Sequence, residues 1–306
     1  MKILVATEKP FAADAVQKIK KVVDDAGFEF LLLEKYTDKF QLVDAVKDVN
    51  ALIIRSDIID AEVLDSAKQL KIVVRAGAGY DNVDLNAATA HGVVVMNTPG
   101  QNANAVAELV LGFMVYAVRN QFDGKSGTEL LGKKLGLHAY GYVGRNVARI
   151  AKGFGMELYA YDPFVPAETM ANDGVKALAS VEELYATCPF VSIHIPATPE
   201  TKNSIDFALL DKMPKKAVLI NTARKEVINE AGLMKMLESR SDFKYFTDIT
   251  PANDAEWKAK FPQRYFSTPQ KMGAQTAEAN NNAGIAAANQ IVDFFKTGNT
   301  RFKVNK

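Results

Sequence analysis

One cysteine, three histidines and no long apolar run set the first limits on this 306-residue chain. The lone Cys188 excludes an internal disulfide and any multi-cysteine metal site, and it fits a reducing compartment. Its setting in ATCPFVSIHIP reads as the start of a buried strand, where the thiol fills core space. No apolar stretch approaches the ~20 residues that cross a bilayer, so a soluble chain is expected. The run in MKILVATEKP meets charge and proline too early for a signal-peptide core, so a cytoplasmic location is expected. Excess charge of one sign is also lacking. The 37 basic and 36 acidic residues give a net +1, no global field for nucleic acid or an anionic membrane. Anion recognition must be local. No sequence repeats or low-complexity segments occur.

What is present is an ordinary globular composition, 48% hydrophobic and 24% charged, at a length that predicts two domains. KILVAT, FEFLLL, ALIIRS, KIVVRAG and VVVMNTP are short, β-branched runs. Helical spacing between them, as over 11–26 and 61–70, predicts a parallel sheet covered by helices. A long apolar helix over about 102–119 reads as the crossover into a second α/β unit. There KLGLHAY, ELYAYDPF, PFVSIHIP, AVLINTAR, YFTDIT and RYFST are the strands, and a final helix spans about 275–296. The fold class expected is α/β, two Rossmann-like, doubly wound parallel-sheet domains.

A dinucleotide-binding turn asks for G-x-G-x-x-G between strand and helix, with an acidic residue at the end of the next strand. The segment here runs from Ala139 to Gly144, with alanine in place of the first glycine. Gly141 lets backbone approach a pyrophosphate, Gly144 lets helix pack on strand, and Tyr142 and Val143 between them begin a helix whose free N–H groups attract anions. Asp162, followed by Pro163, ends the strand ELYAYD. Its carboxylate would accept from the adenosine ribose and repel a 2′-phosphate, which points to NAD.

Longer blocks carry a family resemblance. RAGAGYDNVDLNAATAHGVVVMNTPGQNANAVAELVLGFM from Arg75, GTELLGKKLG, HIPATPETKNSI from His194 and LINTARKEVINEAGL from Leu219 resemble the D-2-hydroxyacid dehydrogenases over nearly the whole chain. RSDIIDAEVL and FKVN look like the phosphoglycerate branch. The resemblance implies a substrate-binding domain of residues 1–97 with 283–306 and an NAD-binding domain of 98–282, with a cleft between them. It implies that the backbone of Arg75, Ala76, Gly77, Ala78 and Gly79 holds a substrate carboxylate. Arg55, beside Ser56, and Arg75 would bind a phosphate. Arg224 would polarise the keto oxygen, Thr222, Ala223, His194 and Pro196 would line the cofactor, and Asp248 would hold its carboxamide.

The chain departs from the family at the proton donor, usually a histidine. His91, His138 and His194 do not fit that position. In TPQKMGAQTAEA from Thr268, counting back from the helix expected after Gly273 puts Lys271 there, and counting forward from Thr-Pro puts Gln270 there. Lys271 is preferred because glutamine cannot exchange a proton. The supporting glutamate falls on Asn253, with Asp254 beside it as the candidate carboxylate. No metal site is expected.

The main expectation is NAD-dependent oxidation of D-3-phosphoglycerate, a phosphorylated small-molecule substrate, by a homodimer. No nucleic-acid or membrane partner is expected. The short segment from Asn120 to Gly127 trims the region that usually joins subunits, and no C-terminal regulatory domain is expected at this length. Two alternatives stay open. One is reduction of an unphosphorylated 2-keto acid such as glyoxylate or hydroxypyruvate. The other is a cofactor-binding sensor without catalysis, suggested by the missing histidine and by Ala139.

Overall fold

The computed structural model describes residues 1–306. They divide into two compact units, Met1–Asn102 with Gln275–Lys306, and Ala103–Ala274. The division lies near but not at 97/98 and 282/283, because each unit takes a long helix whole, one starting at Ala103 and one at Ala277.

Unit one opens with β1 (Lys2–Thr7), α1 (Ala13–Asp25), β2 (Glu29–Glu34), α2 (Lys39–Ala45) and β3 (Ala51–Ile54). It continues with α3 (Ala61–Ser66), β4 (Ile72–Arg75), α4 (Leu85–Ala90) and β5 (Val94–Asn97). The strands lie in the order β2-β1-β3-β4-β5 and every pair is parallel. Ile3 and Val5 enter one core while Leu4 and Ala6 enter another, so both sheet faces are covered. The side chains of Asp38, Asp60 and Asp84 accept backbone N–H groups at the starts of α2, α3 and α4. The helix expected over 61–70 ends at Ser66, since Ala67 leaves helical backbone at ψ 63.

Unit two begins with α5 (Ala103–Val118) and a single 3₁₀ turn over Asn120–Phe122. Then come β6 (Lys134–His138), α6 (Tyr142–Gly153), β7 (Glu157–Tyr161), α7 (Ala167–Asn172), β8 (Lys176–Ala177) and α8 (Val181–Thr187). After β9 (Phe190–Ile193) and α9 (Phe207–Leu210) follow β10 (Val218–Asn221), α10 (Glu230–Ser239), β11 (Lys244–Thr247), α11 (Asp254–Lys260) and β12 (Tyr265–Ser267). The parallel order is β12-β11-β10-β9-β6-β7-β8. The chain builds outward from β6 to β8, then returns to start again at β9, which makes β6/β9 the point where winding reverses. Cys188 is buried in the core beside these strands.

The last helix, α12 (Ala277–Thr297), returns to unit one and packs on α1. A Cβ on Gly284 would stand 2.6 Å from Ile19, so glycine sets the approach of the two helices. This helix starts at Ala277, not at Gln275, because the Thr276 hydroxyl caps it by accepting from Ala279 N. No helix is long and apolar enough to cross a membrane.

After Gly298 the tail lies along β5. Lys303 bridges Met96 in antiparallel sense, and Val304 N donates to Val95 O. Asn305 is buried, accepting from Val95 N and donating to Val93 O and Thr89 Oγ1. Asn305→Ala leaves the Val95 N–H without its acceptor. We expect a loss of about 1–3 kcal/mol, read as a lower urea midpoint; an unchanged midpoint would show that the tail does not hold β5.

Candidate cofactor site and active site

Ala139, Asp162, His194, Thr222 and Asp248 each occupy the first position past the end of a strand, after β6, β7, β9, β10 and β11 in turn. Parallel pairing therefore gathers them along one edge of the unit-two sheet, where the reversal of winding opens a crevice. The turn after β6 leaves the strand through Ala139 at φ 82, a left-handed backbone that favours glycine. The alanine thus takes the conformation of the glycine it replaces, with strain. Gly144 packs helix on strand, since a Cβ there would sit 2.5 Å from Ala139 O. A Cβ on Gly141 would meet nothing within 4 Å, and no side chain caps α6. The first-turn N–H groups, including those of Tyr142 and Val143, thus face an open cradle suited to a pyrophosphate.

Asp162 accepts from Tyr140 N at 2.7 Å and from Phe164 N at 2.8 Å. Its carboxylate therefore braces the turn after β6. Pro163 beside it is exposed. His194 N donates to His138 O across the reversal point. Burial, and then the neighbouring His138, lower the His194 pKa to about 3, while burial lowers that of His138 to about 4 against the pull of Asp162. Both rings are neutral at physiological pH. Pro196 is exposed, and its carbonyl accepts from Thr201 Oγ1.

Past β10 the chain turns sharply. Asn221 holds that turn, accepting from Ala223 N and donating to Arg224 O, and Thr247 Oγ1 donates to Asn221 O. Arg224 is half-buried, with Nη1 donating to Ala223 O. Asn221 and Thr247 escaped the sequence reading; the only signal was an asparagine and a threonine ending otherwise apolar strands.

Asp248 is fully buried and fixes the loop after β12, accepting from Met272 N at 3.2 Å and from Gly273 N at 2.6 Å. Burial raises its pKa, opposed by the Gly273 N–H, the positive charge of Lys271 and the Met272 N–H. Thr268 Oγ1 donates to Gln270 O, so the peptides on both sides of Lys271 are held. Lys271 itself is exposed. The helix expected after Gly273 is α12, which begins later than expected, at Ala277. What sets the position of Lys271 is this pinning to Asp248. Asp254 opens α11 and accepts from Tyr265, Ser267 and Lys258. Burial works against its ionisation, but those three bonds lower its pKa on balance.

In unit one, Arg55 donates to Lys9 O, Pro10 O and Asn280 Oδ1 and stacks on Phe11. Arg75 Nε donates to Arg55 O, and its guanidinium lies where a Cβ on Gly77 would be. Gly77, at φ 148, has a backbone that favours glycine whatever the arginine does. Thr98 N and Asn97 Nδ2 donate to the carbonyls of Gly77 and Ala78, which fixes the 75–79 loop. Ser56 is exposed. His91 lies apart from these groups, bonded to Asp65 and Ala87 O.

Three buried polar atoms past the strand ends lack protein partners: His194 Nε2, Thr222 Oγ1 and Asp248 Oδ1. Such orphans call for a ligand that donates and accepts along the same edge. A dinucleotide with phosphates and a carboxamide fits them, together with the open cradle at Gly141.

Comparison with known proteins agrees. Residues 111–270 match the model of the D-isomer specific 2-hydroxyacid dehydrogenase NAD binding domain, and the chain belongs to that family. The D-3-phosphoglycerate dehydrogenase of Methanocaldococcus jannaschii is 33% identical over 95% of this chain and 57% of its own length. That of Rattus norvegicus is 34% identical over 90% and 54%. The chain thus spans about half the length of these curated relatives. A crystal structure of NAD⁺-bound 3-phosphoglycerate dehydrogenase from Entamoeba histolytica superposes with a TM-score of 0.90 at 45% identity, covering 100% of this chain and 99% of the other.

The turn after β6 yields a paired test. Ala139→Gly relieves a left-handed alanine and should stabilise by about 1 kcal/mol with NAD affinity retained. Gly144→Ala forces a methyl against a carbonyl and should destabilise by about 1–3 kcal/mol and weaken NAD binding. Unfolding midpoints and NAD titration read both. A lower midpoint for Ala139→Gly would mean that the methyl's packing outweighs the strain.

Proposed function

We propose that the chain oxidises D-3-phosphoglycerate to 3-phosphohydroxypyruvate with NAD, the step that feeds serine synthesis, as a cytoplasmic homodimer. The observation that carries the reading is the loop pinned by Asp248, which holds an ionisable amine beside the carboxylate expected to take the nicotinamide carboxamide. The 45% identity to an NAD⁺-bound 3-phosphoglycerate dehydrogenase supports the substrate.

NAD supplies the acceptor for the hydride that leaves C2. The C2 hydroxyl proton passes to the neutral Lys271 amine as the C–H and O–H bonds break and C=O forms. Arg224 grips the carboxylate and steadies charge on the C2 oxygen, and the turn held by Asn221 positions it. Backbone groups of residues 75–79 hold the carboxylate, and Arg55 and Arg75 take the phosphate. Asp254 braces the loop through Ser267 and Tyr265.

A free lysine titrates near 10.4, roughly three units above neutrality. Oxidation needs the neutral amine and should rise with pH, while keto-acid reduction needs the ammonium and should tolerate neutral pH. Lys271→Met should retain NAD binding and lose at least ~10²-fold in kcat. Lys271→His should recover part of that, and Gln270→Ala should matter little. A Gln270→Ala enzyme as inactive as Lys271→Met would shift the proton donor by one residue.

The commitment of Arg55 to three acceptors favours a second reading, an unphosphorylated 2-keto acid. Turnover of D-3-phosphoglycerate against glyoxylate and hydroxypyruvate separates the two. Truncating Arg75 should raise KM for phosphoglycerate roughly ten- to a hundredfold and affect the unphosphorylated acids far less. Equal effects would favour the second reading.

A further inference from the structure

Unit two has a cavity of about 660 Å³ that borders none of Gly141, Asp162, His194, Arg224, Asp248 and Lys271. Lys134, Phe190, Val218 and Lys244, the first residues of β6, β9, β10 and β11, all line it. It therefore lies at the N-terminal edge of the sheet, opposite the edge that carries Ala139, His194, Thr222 and Asp248. Strands of four or five residues separate the two edges, on the order of 13–17 Å.

Five lysines line this cavity: Lys133, Lys134, Lys215, Lys216 and Lys244. The only lining carboxylate, Asp242, bonds Arg240 and Lys216 N. Its negative charge is answered by Arg240, Asp123 faces Lys244, and Lys134 Nζ lies over the Tyr159 ring, so Lys133, Lys215 and Lys216 supply the positive charge at the rim. In a chain of net charge +1, this is a local concentration of one sign. Lys244 Nζ is held in place by Ala117 O at 2.6 Å and Asn120 Oδ1 at 3.2 Å. Phe190 and Val218 supply a buried apolar floor.

The walls carry backbone strain. Lys216 at φ 60 and Asn120 at φ 51 are left-handed without being glycine. Each keeps a polar side chain at a cost a glycine would avoid. A Cβ on Gly127 would stand 2.3 Å from Val118 O, so that wall is close-packed as well.

We propose that this cavity binds a small, multiply charged phosphorylated ligand, its phosphates on the lysine rim, at a site separate from the dinucleotide edge. Its volume falls within the roughly 300–1,000 Å³ of small-molecule pockets. Ammonium groups on flexible stems suit several phosphate oxygens in varied arrangements.

The test is calorimetric titration of the full chain saturated with NAD, which blocks the cradle at Gly141, using inorganic triphosphate and, separately, ATP. We expect saturable binding that weakens as salt is raised. It should fall roughly tenfold or more in the double variant Lys133→Gln/Lys215→Gln and stay unchanged in Lys212→Gln, an exposed lysine outside the cavity. Equal affinity for the two probes assigns the site to a bare polyphosphate, and tighter ATP binding assigns it to a nucleotide. Absence of saturable binding overturns the proposal, as does an equal loss in Lys212→Gln. So does sedimentation in which the double variant loses self-association while probe binding is untouched, which would make this face a contact between copies of the chain.

Discussion

Parallel pairing is the constraint on which both units rest. A strand laid parallel to its neighbour needs a crossover, so each strand ends on the same edge and the chain must leave that edge through a turn. Every turn past a unit-two strand then carries its chemistry to one line in space. Ala139, Asp162, His194, Thr222 and Asp248 are far apart in sequence and share an edge for that reason alone. The same polarity gathers strand-opening lysines on the other edge, so one rule of pairing produces two chemically different rims.

Much of this was legible in the sequence because the strands are short and apolar. KILVAT corresponds residue for residue to β1, and the long helix expected near 102–119 is α5 at 103–118. What could not be read was whatever depends on contacts distant in sequence. The two-residue β8 has too little apolar character to announce itself. The alanine at position 139 looked like a defect, and only the backbone makes it a strained stand-in for glycine. Gly273 is required because Asp248 and Val106 crowd the space a side chain would fill. No spacing rule conveys that.

The loop carrying Lys271 illustrates how the register of a loop segment is fixed. The helix expected soon after Gly273 begins later, at Ala277, and so does not set the register of Lys271. The position is set instead by hydrogen bonds from Thr268 to one flank and to Asp248 from the other. The family's resemblance pointed to the segment; buried polar satisfaction decides which residue in it is held. Asn221 and Thr247 act in the same manner on the turn before Arg224. Elements that look like ordinary strand ends therefore position groups several residues away.

The tail along β5 has a consequence for the molecule's behaviour among its neighbours. A parallel sheet has two open rims of unpaired amides, each a template on which another chain can add a strand. At β5 that template is already used by the molecule itself, through Lys303, Val304 and the side chain of Asn305. The asparagine imitates a peptide group where the backbone alone would not reach. Sequestering this rim guards a β-branched, largely buried strand against edge-to-edge association and the amyloid-like stacking that can follow from it.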